Sequence, residues 1–263
     1  MKRNLAVIKV GGDILDQPDA LRNFLSDFVK IKCPKILVHG GGKLVTDLGE
    51  KLGIKPRLID GRRVTDKATL DLAKMVYGGL IGKSLVASLQ ALRCNAVGLS
   101  GADCNIIEAV KRPVRDIDYG MVGDIVRVNT DPIENFLARQ ITPLFAALTH
   151  DGQGQILNTN ADTVAASLAI ALTERYRVAL FLCFEKKGVL KSVENESSLI
   201  RRLDRDTYGR LKANGRIATG MIAKLDNAFS AIERGVDTVT VCNAGELILW
   251  IKSGREIGTN LTI

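Results

Sequence analysis

Three charged residues stand where the surrounding apolar sequence does not call for a charge. Lys9 lies inside the apolar run 5–10, Asp162 comes just before an apolar run rich in Ala and Leu, and Lys224 lies near the start of an amphipathic segment. Two ammonium groups and a carboxylate suit phosphoryl transfer, because positioned cations must meet the charge that spreads over the transferred phosphoryl oxygens. We therefore interpret these residues as a candidate constellation for that chemistry.

Two glycine turns follow the first two predicted strands. The run 5–10 ends at Gly11-Gly12, and the run 35–38 leads through His39 into Gly40-Gly41-Gly42, with a helical pattern after each turn. Consecutive strand–glycine–helix units favour a parallel sheet. Successive glycines let the backbone approach a ligand and present amides near a helix N-terminus, where an anion is favoured.

The segment Leu157-Asn158-Thr159-Asn160-Ala161-Asp162 joins a turn-rich region to an apolar run that predicts a buried helix over 163–172. Asn160 or Asp162 falls at the first turn of that helix, where it can cap the unpaired amides. A single cap satisfies only one or two of those amides, so capping does not explain the second asparagine.

The rest of the chain alternates between strands and helices, which predicts an α/β fold. A hairpin is predicted from 57–59 and 62–64, with its turn at Asp60-Gly61, and further hairpins over 105–128. The other predicted strands are 96–99, 141–148, 178–184, 238–242 and a short one from Gly258; the predicted helices are 19–30, 43–52, 66–93, 131–139, 204–213, one opening at 218–224, and 244–253.

A segment that superficially resembles a phosphate-binding P-loop, Gly78 to Ser84, lies inside the predicted helix 66–93. A P-loop needs four residues between its first glycine and Gly-Lys-Ser and follows a strand directly, and Tyr77 stands where that glycine belongs. We reject a P-loop, so a nucleotide must bind by other means.

Composition limits the possible partners. The 263 residues are 46% hydrophobic and carry a net charge of +8, but only 5% are aromatic and no nucleic-acid-binding signature is present. Anionic small molecules therefore explain the basicity better than nucleic acid. The five cysteines form no CxxC pair and there are only two histidines, so we predict no protein-held metal.

The sequence predicts a cytoplasmic protein that does not bind a membrane. Its N-terminal apolar run is too short for the core of a signal peptide, and we expect no apolar stretch of membrane-spanning length.

Five motifs in order resemble those of the amino acid kinase family over essentially the whole chain. They are Ile8-Lys9-Val10-Gly11-Gly12, His39-Gly40-Gly41-Gly42, Gly61-Arg62-Arg63-Val64-Thr65, Asn158-Thr159-Asn160-Ala161-Asp162 and Gly220-Met221-Ile222-Ala223-Lys224. The resemblance implies a three-layer αβα sandwich with a mainly parallel central sheet, the carbamate kinase-like fold. It also implies one domain, with an N-lobe at about 1–172 for an acylated amino acid and a C-lobe at about 173–263 for ATP.

The resemblance assigns roles to individual residues. It implies that Lys9 and Lys224 stabilise the transferred phosphoryl group while Asp162 orders both ammonium groups. The residues implied to bind the substrate are Gly41, Gly42, Arg63 and Asn158; those lining the phosphate path are Gly11 and Gly12; those binding ATP are Glu185, Lys186, Gly188, Gly220 and Met221. No general base is needed, since the attacking carboxylate is already ionised at neutral pH.

Within this family, the motifs are most similar to those of the acylglutamate kinase branch. The implied reaction is the ATP-dependent phosphorylation of the side-chain carboxylate of N-acetyl-L-glutamate in arginine biosynthesis, with Mg²⁺ carried by the nucleotide phosphates and water. The alternatives are an N-succinyl-L-glutamate kinase, a kinase of carrier-linked aminoadipate or glutamate, and a catalytically silent sensor. The presence of all three charged residues favours an enzyme.

Two features depart from the family pattern. Phe184-Glu185 stands where the family usually has Ser or Thr followed by Asp, so the nucleotide contacts are expected to differ. Only four residues precede the first predicted strand, without the extra N-terminal helix of the hexameric members, which leads us to expect a homodimer insensitive to arginine. Arginines on or near the predicted hairpins could also meet an extra substrate carboxylate; they are Arg57, Arg62, Arg112 and Arg115.

Overall fold

The computed structural model describes residues 2–59, 61–192 and 195–263. Its strands are β1 Arg3–Val10, β2 Lys35–His39, β3 Leu58–Ile59, β4 Arg62–Arg63, β5 Ala96–Leu99, β6 Ile107–Lys111, β7 Gly123–Val128, β8 Thr142–Ala146, β9 Leu148–His150, β10 Ile156–Asn158, β11 Tyr176–Phe184, β12 Arg202–Asp204, β13 Thr238–Asn243 and β14 Thr259–Thr262. Its helices are α1 Gly12–Leu15, α2 Pro18–Phe28, α3 Gly42–Lys51, α4 Lys67–Ala73, α5 Gly82–Ala91, α6 Asp131–Ala138, α7 Ala161–Leu172, α8 Arg205–Ala213, α9 Thr219–Glu233 and α10 Leu247–Ser253.

The chain forms two compact units, one of residues 1–35 with 165–263 and the other of residues 36–164. Residues 1–35 belong to the same unit as the C-terminal residues. The reason is that β1 pairs in parallel with β11 over eight consecutive residue pairs, from Arg3 opposite Tyr176 to Val10 opposite Cys183. This long register attaches the first strand to the C-terminal part of the chain.

The first unit contains the strand order β12-β14-β13-β11-β1, in which β11 lies parallel to both β1 and β13. Only β14 runs antiparallel to its neighbour β13. Residues 5–8 of β1 and 180–183 of β11 are almost completely buried, as expected for apolar strands covered on both faces. The predicted α/β fold with mainly parallel strands is confirmed.

The second unit contains the parallel strands β2, β8 and β5, and a separate sheet with the order β10-β9-β6-β7. The sequence predicts one strand over 141–148, and this prediction is wrong. The segment is divided at Ala147 into β8 and β9, which belong to different sheets. The carbonyl of Ala147 accepts a hydrogen bond from the amide of Thr159 at 3.1 Å, so the break is bonded to the segment before α7.

The predicted hairpin of β3 and β4 is present, with Leu58 opposite Arg63 and Ile59 opposite Arg62. The turn was predicted at Asp60-Gly61, and Asp60 lies outside the described residues. Gly61 has a positive φ of 74°, a backbone conformation that suits glycine in a tight turn.

A continuous helix runs over Lys67–Ala91, as predicted for 66–93. Its start is capped by the Asp66 carboxylate, which accepts a hydrogen bond from the amide of Thr69 at 2.8 Å. The middle, Lys74–Ile81, is π-helical. The P-loop-like segment is therefore helical, in agreement with its rejection.

The same helix corrects one expectation, because its length and apolar composition would suffice to cross a membrane. In its most apolar window 44% of residues are buried within the protein, including Val76 and Tyr77. A helix packed in the core of a globular protein passes the same test of length and composition.

Candidate functional site

Lys9 lies near the end of β1, where the first glycine turn begins. Its side chain is only 8% exposed and it sits opposite Leu182 of β11. A buried ammonium is costly unless it meets a partner or a ligand, so this position is a strong functional candidate. The prediction that an apolar strand buries this lysine is confirmed.

The first glycine turn is bonded to the end of β11. The amide of Gly11 donates to the carbonyl of Cys183 at 3.0 Å, which extends the parallel pairing by one residue. A Cβ built on Gly11 would lie 3.3 Å from that carbonyl oxygen, whereas a Cβ on Gly12 would meet nothing within 4 Å. Gly11 is close to its neighbours, and the space beside Gly12 is open.

Lys224 lies in α9 and is 7% exposed. Its ammonium nitrogen is 5.6 Å from the centre of the Phe184 ring, within the range of a cation–π interaction. Phe184 is the last residue of β11, and its Cβ lies 3.6 Å from the Cβ position of Gly11. The Phe184 side chain thus connects the first glycine turn with the predicted catalytic lysine of α9.

The residues predicted to bind ATP fall into two places. The Glu185 carboxylate and the Lys186 ammonium, which follow β11, lie 3.8 Å apart and are partly exposed. Gly220 and Met221 lie in the first turn of α9, and a Cβ on Gly220 would meet nothing within 4 Å. The space beside Gly220 is therefore open.

Gly188 has a packing reason to be glycine. Its φ is +154°, and a Cβ there would lie 2.6 Å from the hydroxyl oxygen of Thr259 and 2.7 Å from a methyl carbon of Leu199. The next amide, that of Val189, donates to the same Thr259 hydroxyl at 2.8 Å. Close packing against β14 accounts for this residue without a nucleotide.

The second glycine turn, between β2 and α3, is crowded. Gly41 has a φ of +136°, and a Cβ on it would lie 2.1 Å from the Ile81 Cδ1 atom and 3.4 Å from the Tyr77 ring. No other residue type fits this backbone and this space without strain. Gly41 is also the residue immediately before the first turn of α3.

Arg63 of β4 is anchored to the start of α3. One of its guanidinium nitrogens donates to the Gly42 carbonyl and to the Thr46 hydroxyl, each at 2.7 Å. Burial raises the pKa of the nearby Tyr77 hydroxyl, and the positive charge of Arg63 partly opposes that rise. The anchoring contacts use one terminal nitrogen, so the remaining N–H groups of the guanidinium can bind a carboxylate.

Asn158, at the end of β10, is 9% exposed, and its side-chain amide donates to the Thr65 hydroxyl at 3.0 Å. That hydroxyl in turn donates to the Arg63 carbonyl at 3.3 Å. The two predicted substrate-binding residues Arg63 and Asn158 are therefore connected through Thr65. Thr65 lies within one of the five motifs, but neither Thr65 nor Thr46 has a role that the sequence predicts.

The polar residues before α7 have separate roles. The Asn160 carbonyl oxygen of the side chain accepts hydrogen bonds from the amides of Asp162 (2.8 Å) and Thr163 (3.2 Å), so Asn160 is the cap. The Thr159 hydroxyl bonds the Thr149 hydroxyl at 2.8 Å. Asp162 lies in the first turn of α7 and is 8% exposed. Capping thus explains Asn160, and the contact with Thr65 explains Asn158.

His39 ends β2 and is fully buried. Burial lowers the pKa of its imidazole to about 4, and the Gly40 carbonyl, 2.9 Å from Nδ1, only partly opposes this. The ring is therefore neutral at physiological pH and donates from Nδ1. Across the described ranges, no three His, Cys, Asp or Glu side chains converge on a point that could hold a metal.

Comparison with known proteins adds four findings. The sequence profile described as "Amino acid kinase family" matches residues 4–243. An acetylglutamate kinase of Cytophaga hutchinsonii is 52% identical over 98% of each chain. The solved structure of smu.665 from Streptococcus mutans has a TM-score of 0.81 at 27% identity over 98% of each chain. A carbamate kinase from Giardia lamblia bound to AMP-PNP shares the fold, with a TM-score of 0.72 at 12% identity over 99% of this chain and 98% of the other.

Proposed function

This chain belongs to the amino acid kinase family, and we infer that it catalyses the ATP-dependent phosphorylation of the side-chain carboxylate of N-acetyl-L-glutamate. The observation that carries this conclusion is the identity of 52%, over nearly the full length of both chains, with an acetylglutamate kinase. In the reaction, a carboxylate oxygen attacks the γ-phosphorus of ATP, ADP leaves, and N-acetyl-glutamyl 5-phosphate forms.

We assign charge stabilisation during the transfer to Lys9 and Lys224. Both lysines are buried, and the amide of Gly12 can add to the stabilisation. Preorganised cations are most effective in such low-dielectric surroundings. We assign Asp162 the task of ordering the two ammonium groups during catalysis, since a buried carboxylate suits that task and the reaction needs no general base.

The N-acetylglutamate molecule is assigned to the part of the chain that carries Arg63, Asn158 and the second glycine turn. Arg63 is held by Gly42 and Thr46 and has N–H groups left for the α-carboxylate. Asn158 holds the amino-acid end of the substrate, and its amide is already oriented by Thr65. The amides of Gly41 and Gly42 face the reacting carboxylate or its phosphate.

ATP is assigned to the C-terminal part of the chain, to Glu185, Lys186, Gly220 and Met221; the first two are partly exposed and the space beside Gly220 is open. Gly11 and Gly12 line the path of its phosphates. Gly188 belongs to this proposal only as the residue that allows the close packing next to Lys186. Mg²⁺ enters with the nucleotide, held by phosphate oxygens and water, which neutralises phosphate charge without a protein carboxylate cluster.

The protein is proposed to act as a homodimer. The helix Lys67–Ala91 exposes more than half of the Met75 and Leu80 side chains, and burial of such apolar groups favours association. Static light scattering should give the mass of two chains, and a hexamer would contradict this assignment.

The test is acyl-phosphate formation from ATP and N-acetyl-L-glutamate, trapped with hydroxylamine. Lys9→Ala and Lys224→Ala should each lower kcat by roughly a hundredfold, as expected when one preorganised cation is lost. The matched control is Lys35→Ala, since Lys35 is equally buried but donates to the carbonyls of Val29 (3.0 Å) and Ile31 (2.9 Å). This control should lose stability and keep kcat.

Two results would contradict the proposal. One is the absence of N-acetylglutamate-dependent hydroxamate in the folded wild-type protein. The other is a Lys9→Ala or Lys224→Ala enzyme that turns over as fast as the Lys35→Ala control.

A further inference from the structure

A basic cavity of about 410 Å³ lies beside the β3–β4 hairpin in the unit of residues 36–164. The function proposed above does not use it. Its charged and aromatic lining consists of Arg62, Arg112, Arg115, Asp116, Tyr119 and Asp124. Three guanidinium groups against two carboxylates leave the lining with one net positive charge.

Arg112 is already neutralised and fixed. Its Nε and Nη2 atoms donate to one Asp124 carboxylate oxygen at 3.0 and 2.6 Å, and its guanidinium lies 5.5 Å from the centre of the Tyr119 ring. An arginine that is bonded to a carboxylate and packed on an aromatic ring has little conformational freedom. Arg112 therefore shapes the cavity more than it attracts a ligand.

Arg62 and Arg115 differ from Arg112, because neither makes an ion pair or side-chain hydrogen bond with any described residue. Two like charges that line one cavity repel each other, and an anion between them removes that repulsion. A guanidinium also offers two parallel N–H groups that match a carboxylate. Arg62 and Arg115 therefore have N–H groups available to bind an anion in this cavity.

The cavity is connected by backbone bonds to the proposed substrate residues. Arg62 directly precedes Arg63 in β4. The Thr65 amide donates to the Tyr119 carbonyl at 2.9 Å, and the Met121 amide donates to the Thr65 carbonyl at 2.7 Å. Thr65 is also the residue that orients Asn158. A ligand group in the cavity would therefore lie next to the segment that is proposed to hold the acylated amino acid.

We propose that Arg62 and Arg115 bind a carboxylate of a small organic ligand in this cavity. A single carboxylate matches the one net positive charge of the lining, whereas a phosphate dianion would exceed it. The carboxylate belongs to a separate small molecule bound beside N-acetyl-L-glutamate, because the acetyl group of that substrate carries no carboxylate. Its binding does not require the kinase function proposed above.

The experiment is calorimetric binding without ATP, which does not depend on turnover. The first set of probes is N-acetyl-L-glutamate and N-acyl-L-glutamates whose acyl chains end in a carboxylate after one, two or three methylene groups. The second set is free acetate, propionate and succinate in the presence of N-acetyl-L-glutamate. The variants are Arg62→Gln and Arg115→Gln, and the matched control is Arg139→Gln, an exposed arginine of the same unit that does not line the cavity.

The expected result is at least one free carboxylate that binds wild type and Arg139→Gln about tenfold more tightly than either Arg62→Gln or Arg115→Gln, the usual size of a charge-assisted pair. A gain in the second set is the expected result, and a gain confined to the carboxylate-ended acyl chains of the first set would overturn the assignment to a separate molecule. Equal binding of every probe by all four proteins would overturn the proposal. The hydroxamate assay is read separately, so a failure of the kinase function would be recognised on its own.

Discussion

The two glycine turns, after β1 and after β2, look alike in sequence but need glycine for different reasons. Gly41 in the second turn combines a φ of +136° with a Cβ position 2.1 Å from Ile81. Gly12 in the first turn has neither constraint, since a Cβ there would meet nothing within 4 Å. The second turn is therefore fixed by the protein's own packing, whereas the first leaves an opening.

The neighbours of the two turns differ in the same way. The second turn is surrounded by groups that hold it, with Arg63 bonded to the Gly42 carbonyl and the buried His39 before it. The first turn is bonded through Gly11 to Cys183 and lies beside Phe184, whose ring faces Lys224. A glycine pair after a strand thus indicates close approach, but only the structure tells whether protein atoms or a ligand approach.

The sharpest test of this comparison is Gly41→Ala. An alanine must adopt an unfavourable φ, and the flexible end of the Ile81 side chain must move aside, so we expect a loss of about 2 kcal/mol in the free energy of unfolding. Urea unfolding followed by circular dichroism measures it. The matched control is Gly12→Ala, which should change stability by less than about 0.5 kcal/mol. Equal stability losses in the two variants would break the distinction between the turns.

The second prediction concerns the strand end before the crowded turn. The pKa of His39 is about 4 in the folded protein, against 6.5 as its ordinary value. Between these pH values the unfolded chain binds a proton that the folded chain does not. The free energy of unfolding should therefore fall as pH drops from about 6.5 to about 4, by up to roughly 3 kcal/mol.

The measurement is urea unfolding at several pH values in wild type and in His39→Gln, which keeps a donor for the Gly40 carbonyl. All other ionisable groups are common to both proteins, so the difference between the two curves reports His39 alone. As pH falls from 6.5 to 4, the free energy of unfolding of wild type should decrease more than that of His39→Gln, by up to roughly 3 kcal/mol. If the free energies of unfolding of the two proteins changed with pH in parallel, His39 would not be buried in the way that the structure shows.

Much of the fold can be predicted from the sequence because local signals agree with it. Apolar runs ended by glycine gave β1 and β2, and the periodicity of 66–93 gave the helix Lys67–Ala91. The sequence does not predict the break at Ala147, because the run 141–148 is mostly apolar. The sequence pattern of such a run does not change where the chain passes from one sheet to another. The π-helical turns at Lys74–Ile81 are likewise not predicted, since the spacing of their apolar residues does not distinguish a π-helix from an α-helix.

The site divides by the range of its interactions. Lys9, Asp162 and Lys224 can be found from the sequence because a charge in an apolar context is locally conspicuous, and all three are buried. The partner of Asn158 could not be found in this way, because Thr65 lies 93 residues away in the chain. The same holds for the anchoring of Arg63, 21 residues from Gly42. Side-chain bonds between distant segments require the fold itself.

The smallest predicted effect belongs to Phe184, the aromatic neighbour of the open turn. Its ring lies 5.6 Å from the Lys224 ammonium nitrogen, a contact that contributes about 1 kcal/mol. Phe184→Leu keeps the apolar volume and removes the ring face, so kcat should fall about fivefold in the hydroxamate assay while the KM for N-acetylglutamate stays constant. Phe184→Tyr should restore kcat, since it restores the ring.

The matched control for this change is Phe181→Leu in the same strand. Phe181 packs against Trp250, with ring centres 4.6 Å apart, and has no such contact with Lys224. This variant should lose at least as much stability as Phe184→Leu, because Phe181 is the more buried of the two, and it should keep kcat. If Phe181→Leu lowered kcat as much as Phe184→Leu, the loss of activity would come from the altered packing of β11. The contact between the Phe184 ring and Lys224 would then not be needed to position Lys224.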